Sequence, residues 1–171
     1  MAKTNLIQIV DENDNPLRAA TMPETHAKGL IHRVVRIMVE DSQGRILLQK
    51  RAPNMSWPNC WDNSAAGHVD AGEDYLTAAR RELFEEIGIK TDKLDEIGKY
   101  YTQGKYQSQI HKRFNNLYKV VLTAIPQQMA LQKEEVASVK WFSLKDIKKL
   151  IKDKPDKVTD GLRDVIERFY T

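Results

Sequence analysis

The chain has 171 residues, 41% of them hydrophobic and 30% charged, with a formal net charge of +3; this fits one globular domain, 1–171, able to bury about two-thirds of its unfolded surface, and the charge is too small to point to nucleic acid by itself. The single cysteine, Cys60, excludes an intrachain disulfide and fits a reducing compartment. The N-terminal stretch MAKTNLIQIVDEND lacks the apolar core of a signal peptide, and no apolar run approaches the roughly 20 residues a membrane span needs, so a cytoplasmic protein with no membrane partner is expected.

In chain order, residues 6–10 read as a short strand, 11–16 (DENDNP) as a turn and 17–21 as the returning arm of a hairpin spanning about 5–22. Residues 31–40, rich in Val and Ile, predict a strand, 41–44 (DSQG) a turn and 45–49 the next strand. Residues 52–62 hold two prolines and two tryptophans and predict an irregular, packed loop, and the small-residue stretch 63–69 is compatible with a strand. The clearest helix covers 74–87, where Leu76, Ala79, Leu83 and Ile87 form the buried stripe and Gly88 follows as a left-handed cap. Strands are predicted over 94–102, 114–123 and 136–142, leaving 103–113 as a loop. Ser143 can cap a helix over 144–151, and a last helix covers 159–169. The lysines crowded here, Lys145, Lys148, Lys149, Lys152, Lys154 and Lys157, read as a solvated helix face. Strands and helices mix without strict alternation, which predicts an α+β fold with a mixed sheet covered by helices.

On the main helix, Glu82, Glu85 and Glu86 stand at i, i+3 and i+4 and project from one face, about 110° round from the apolar stripe. Like charges at this spacing repel unless something cationic compensates, and a hard divalent ion such as Mg²⁺ does so with carboxylate oxygens. Arg81, four residues before Glu85, is placed to hold a carboxylate. Glu73 suits the helix N-terminus, and Gly67 and Gly72 flank the lead-in loop. An acidic helix face on its own is ordinarily just solvated. Here, however, Gly67, Glu73, Arg81, Glu82, Leu83, Glu85, Glu86, Gly88 and Ile89 satisfy G-x5-E-x7-R-E-U-x-E-E-x-G-U (U apolar) at every position.

That run, 67–89, resembles the Nudix box, the signature of a hydrolase family acting on nucleoside diphosphates linked to another moiety. The resemblance implies a strand–loop–helix box on an α/β/α sandwich, the Nudix fold. It also implies that Glu82, Glu85 and Glu86 bind Mg²⁺ or Mn²⁺, with Glu73 and the Gly67 carbonyl in support and Arg81 orienting a glutamate. Catalysis would rest on Glu85, Glu86 and Arg81. The chemistry agrees: a divalent ion neutralises the diphosphate and acidifies a bound water, whose proton a carboxylate takes. A box glutamate is the preferred base; Glu134 and Glu135, the alternatives, read as surface residues. In this family specificity lies in loops outside the box, here 52–62 and 103–113, and homodimers are common.

Beyond the box, residues from about 8 to 142 look like the branch similar to isopentenyl-diphosphate isomerase. His26, Leu30-Ile31-His32-Arg33, Leu47-Leu48-Gln49-Lys50-Arg51, Trp57-Pro58 and Trp61-Asp62-Asn63-Ser64 carry this likeness together with Gly67-His68. The isomerases protonate their substrate with a cysteine in an Asn-Ser/Thr-x-Cys-x-His motif; here Ala66 takes that place and can neither give nor accept a proton. Their Glu-Asn-Glu stretch has become Arg113-Phe114-Asn115-Asn116, without an acid, while the box that they keep only in degraded form is complete. His26, His32 and His68 roughly match three metal-binding histidines of the isomerases, but one spacing is short and the acidic ligands are missing; structural histidines with ordinary hydrogen bonds are expected, and His111 reads as a loop residue. Arg51 and Arg33 are candidates for substrate phosphate, whereas Lys50 should point away. Trp57, Trp61, Tyr101, Tyr106 and Phe114 read as packing residues before base-stacking ones. The sequence therefore predicts hydrolysis of a small-molecule diphosphate, with an isomerase-like enzyme or a non-catalytic nucleotide-binding module as alternatives.

Overall fold

The computed structural model describes residues 6–171, so the expected start of the hairpin at Asn5 falls outside it. Among the described residues nine strands form one mixed sheet. Strand β1 (Ile7–Val10) pairs antiparallel with β2 (Pro16–Ala20), and Asp11 closes the turn between them by accepting from the amides of Asn13 and Asn15. The central strand β3 (Ile31–Asp41) runs parallel to β8 (Gln109–Leu122), which pairs antiparallel with β7 (Asp95–Tyr106). On its other side β3 meets β1, β6 (Ala65–His68) and, at its far end, β4 (Ile46–Arg51); β4 continues to β5 (Trp61–Asp62) and β9 (Val136–Phe142).

Side-chain alternation along β3 assigns the two faces of the sheet. Val35, Ile37 and Val39 are fully buried against Ala79, Leu83 and Ile87 of helix α2 (Tyr75–Ile87). The even-numbered side chains project from the other face. There Met38 joins Leu48 and Leu117 beneath α3 (Leu144–Asp153) and α4 (Asp160–Phe169), which contribute Ile147, Leu162, Val165 and Ile166. The result is the expected sandwich of helices around a mixed sheet. Asp74, Ser143 and Thr159 cap α2, α3 and α4, each accepting from a first-turn amide. Helix α2 ends on Gly88, whose φ of 73° is left-handed and whose N–H donates to the Phe84 carbonyl. The six C-terminal lysines are all exposed, as expected of a solvated face.

Three local readings need correction. A seven-residue helix, α1 (Met22–Lys28), follows the hairpin, capped by Thr21 and closed by left-handed Gly29. Its length is too short for the apolar periodicity that reveals a helix. The predicted loop 103–113 is instead the far end of the β7–β8 hairpin, paired from Thr102↔Arg113 to Tyr106↔Gln109, with Gln107 turning at φ 54°. Its polar sequence, GKYQSQIHK, hides the alternation. The loop expected over 52–62 stops at residue 60, because Trp61 and Asp62 pair with β4 as β5; up to there it is irregular, with Trp57 and Asn59 both at positive φ. No helix among the described residues is long and apolar enough to cross a membrane.

Candidate active site

The lead-in strand β6 ends beside the N-terminal half of α2, and Gly67 allows the two to touch. A Cβ at Gly67 would overlap the Glu82 carboxyl, so only glycine leaves room for that carboxyl against the strand. Arg81 gathers the acids around it with every nitrogen of its guanidinium. Its Nε and Nη2 donate to the two oxygens of Glu73 at 3.0 and 2.8 Å, Nη1 donates to Glu82 at 2.6 Å and Glu85 at 3.3 Å, and Nη2 also reaches the His68 carbonyl at 3.0 Å. The expected Arg81–Glu85 pair is thus one part of a five-bond cluster.

The three box glutamates differ in depth. Glu85 is half exposed at 51% of its side chain, and Glu82 is mostly buried at 12%. Glu86 is the deepest, accepting from Gln49 Nε2 and from the Ala66 amide at 3.2 Å. Burial lifts the Glu82 carboxyl to about 7 and pushes Glu86 well above its ordinary value, with the neighbouring Glu82 charge adding to the second shift. Clustered buried carboxylates of this kind suit a hard divalent cation, which would relieve both the burial and the mutual repulsion.

Glu82 and Glu85 line a cavity of about 400 Å³ together with Arg81, Gly67, His68, Arg51, Arg36, Arg113 and Trp57. Arg51 is held at the cavity wall by Asp62 at 3.0 Å and by the Ser56 carbonyl at 2.6 Å. Glu135, read as a surface residue, lines the cavity too, and its charge contributes to the upward shifts of Glu82 and Glu86. Glu134 does not line it, and Glu73 turns instead to Arg81. Arg33 also departs from expectation. As an odd-numbered residue of β3 it leaves on the α2 side, where Asp14 binds it at 2.7 Å and Tyr75 lies under its guanidinium. Lys50 points away to Trp61. Of the aromatic candidates only Trp57 reaches this cavity, stacked on Tyr106 at 3.9 Å; Trp61 packs on Phe142 and Tyr101 on Phe114.

The histidines lack the ordinary hydrogen bonds expected of them. His26 on α1, His32 on β3 and His68 on β6 converge until a ring nitrogen of each lies within 4.8 Å of the others. His111, a strand residue rather than a loop one, stands 4.6 Å from His26 between ring centroids. His32 Nδ1 meets the Leu30 carbonyl, but the Nε2 atoms of His26 and His32 and both ring nitrogens of His111 are buried without a partner. Burial lowers His32 to about 3 and His111 to about 4, so both are neutral at pH 7 and carry free lone pairs. Missing acidic ligands and irregular spacing concealed this convergence, and the short helix α1 produces it.

A model of the NUDIX domain matches residues 30–169. Isopentenyl-diphosphate Delta-isomerase 2 of Photorhabdus laumondii is 30% identical over 163 residues, covering 94% of this chain and 90% of that protein. The uncharacterized Nudix hydrolase YfcD of Escherichia coli is 32% identical over 148 residues, covering 86% and 78%. Among solved structures, DR0079 of Deinococcus radiodurans superposes with a TM-score of 0.80 at 22% identity, covering 97% of this chain and 99% of that one.

Proposed function

The chain belongs to the Nudix family, and from that premise we propose that it hydrolyses a diphosphate bond in a small molecule, a nucleotide or nucleotide derivative, with Mg²⁺ or Mn²⁺ held by Glu82, Glu85 and Glu86. The observation that carries this reading is the set of three box carboxylates at one edge of an open cavity, with Glu82 and Glu85 gathered by Arg81 beside Gly67 and Glu86 buried behind them on Gln49 and the Ala66 amide. A divalent ion bound there supplies neutralisation of the diphosphate and an acidified water. Arg81 orients Glu82 and Glu85 towards it, while Gln49 and the Ala66 amide fix Glu86. Water attacks one phosphorus, the bridging P–O bond breaks toward the other phosphate, and the proton passes to a carboxylate. Glu85, the box glutamate open to solvent, is our choice for that base, with Glu135 as the alternative. Arg51 faces the substrate phosphate. Isomerase chemistry is disfavoured because Ala66 offers no proton.

The test is release of phosphate or nucleoside monophosphate from a panel of nucleoside di- and triphosphates, nucleotide sugars, dinucleoside polyphosphates, CoA and prenyl diphosphates, with each metal. Turnover that falls at least a hundredfold in Glu85→Gln, with the fold intact, supports the assignment; an unchanged kcat in that variant refutes it. Binding without turnover would favour a nucleotide-binding module.

The histidine cluster supports a second reading: a borderline transition metal bound by neutral imidazoles of His26, His32 and His68, separate from the box. Elemental analysis of the purified chain, with His32→Ala as control, decides it: about one equivalent of metal, lost in the variant, is expected, and none in the wild type refutes it.

A further inference from the structure

Two arginines of the cavity are not accounted for by the box. Arg36, 4% exposed, donates to the amide oxygens of Asn115 at 2.9 Å and Asn63 at 3.2 Å. These partners are neutral, and among the described residues Arg36 makes no ion pair with a carboxylate. The acids whose charge reaches it and favours its cation are Asp62, Asp160 and Asp164; Asp62 is engaged by Arg51 and Thr159, Asp160 by Arg113, and Asp164 acts on Arg36 by charge alone. Arg113, 8% exposed, gives Nη2 to Asp160 at 2.7 Å, while its Nε–H is buried without any partner. Both guanidiniums also lie at the start of α4, where Gly161 packs so closely that a Cβ would overlap Arg36. That end of a ten-residue helix carries the positive pole of its dipole. Arg113 thus has one carboxylate in direct contact and one buried donor unused, beside a second buried cation and a helix N-terminus, a setting that an anion joining them would complete.

We propose that Arg113, backed by Arg36 and the first turn of α4, binds an anionic group of the substrate other than the phosphate carried at the box. Strand β8, which bears Arg113, lies two strands from β6, about 10 Å at the backbone. The two charged sites are thus distinct points on one ligand. Resting on the hydrolase reading above, this narrows the substrate class to molecules with anionic groups at two places, such as polyphosphorylated ones. Arg113 also lines a second cavity of about 400 Å³, which it separates from the first with Trp57 and Asp160. A group bound at Arg113 therefore directs the rest of the ligand between the two.

A brace between β8 and α4 would use the same Arg113–Asp160 pair, so the test separates the two roles. Inorganic diphosphate is titrated calorimetrically into the full chain in EDTA, and into Arg113→Met, Arg113→Lys and Asp160→Asn, with unfolding midpoints as the check on folding. An anion subsite predicts binding by the wild type, at least tenfold weaker binding in Arg113→Met and an intermediate loss in Arg113→Lys. Asp160→Asn should bind as tightly as wild type or tighter, because it removes the competing carboxylate. Absent binding, binding untouched by Arg113→Met, or a parallel loss in Asp160→Asn would overturn the proposal. If Arg113→Met does not fold, Arg113→Lys and Asp160→Asn carry the decision. The titration contains no divalent cation and requires no turnover, so its failure leaves the hydrolase reading standing, and the reverse also holds.

Discussion

Replacing Glu82 with glutamine should make the metal-free protein more stable while removing its response to metal. The buried carboxyl, lifted from its ordinary 4.5 to about 7 mainly by desolvation, costs about 3 kcal/mol to ionise in the folded chain. Its folded value lies above its unfolded one. The stability it contributes is therefore full below about pH 4.5 and is lost as pH rises through about 7. The attraction of Arg81 already opposes this shift, and Arg81 keeps Glu73 and Glu85 when Glu82 is neutral. For a domain of this size, about 3 kcal/mol corresponds to roughly 6–12 °C in unfolding midpoint. Scanning calorimetry in EDTA at pH 8 should show Glu82→Gln melting higher than wild type by that order, with the gap narrowing toward pH 5.5. Saturating Mg²⁺ or Mn²⁺ should then raise the wild type well above the variant. A variant that melts lower than wild type in EDTA at pH 8, or that gains as much from metal, would refute the reasoning that burial and repulsion of these carboxylates are relieved by a cation.

Gly67→Ala should lower Mn²⁺ affinity at least tenfold in a calorimetric titration, because its Cβ overlaps the Glu82 carboxyl and drives it from the strand. Gly88→Ala should destabilise the chain by about 1–3 kcal/mol in urea unfolding, since φ is 73° and the added carbon would lie 2.9 Å from Ala130; kcat should be retained. Glu135→Gln tests the alternative base: with Glu85 in that role, kcat falls less than tenfold, and a loss matching that of Glu85→Gln would move the role to Glu135. Arg33→Ala should leave KM unchanged in steady-state assays, because its charge is spent on Asp14 away from the cavity.

The legible parts of the molecule were those whose signal is local. The α2 stripe and the Gly88 cap identify their helix by spacing alone, and the nine-position motif locates the acids on it. The Val- and Ile-rich composition of 31–40 identifies that strand. What stayed hidden depends on pairing between distant segments. Arg33 and Arg36 look alike in sequence, yet three residues of strand put them on opposite faces, one at Asp14 and one at the cavity floor. Arg113 gains its setting only because β8 lies parallel to β3 and beneath α4. His111 was lost in a polar run that pairs as a hairpin, and His26 in a helix of seven residues. Glu135 reads as a surface acid until β9 lies beside β4 and brings it to the box.

The two walls of the cavity divide the chemistry. Carboxylates gather at the β6–α2 edge and guanidiniums near the start of α4; under the proposed hydrolysis, a diphosphate with its metal would bring a counter-charge to each. If this cavity cleaves a P–O bond with water, as proposed, the oxygen of that water ends on a phosphate. The most direct measurement supplies each diphosphate of the panel in H₂¹⁸O with Mg²⁺ and follows the products by mass spectrometry. Hydrolysis places one ¹⁸O in a phosphate product from at least one substrate, and EDTA or Glu85→Gln abolishes it. No labelled phosphate from any of them, or deuterium entering isopentenyl diphosphate in D₂O without phosphate release, would contradict it.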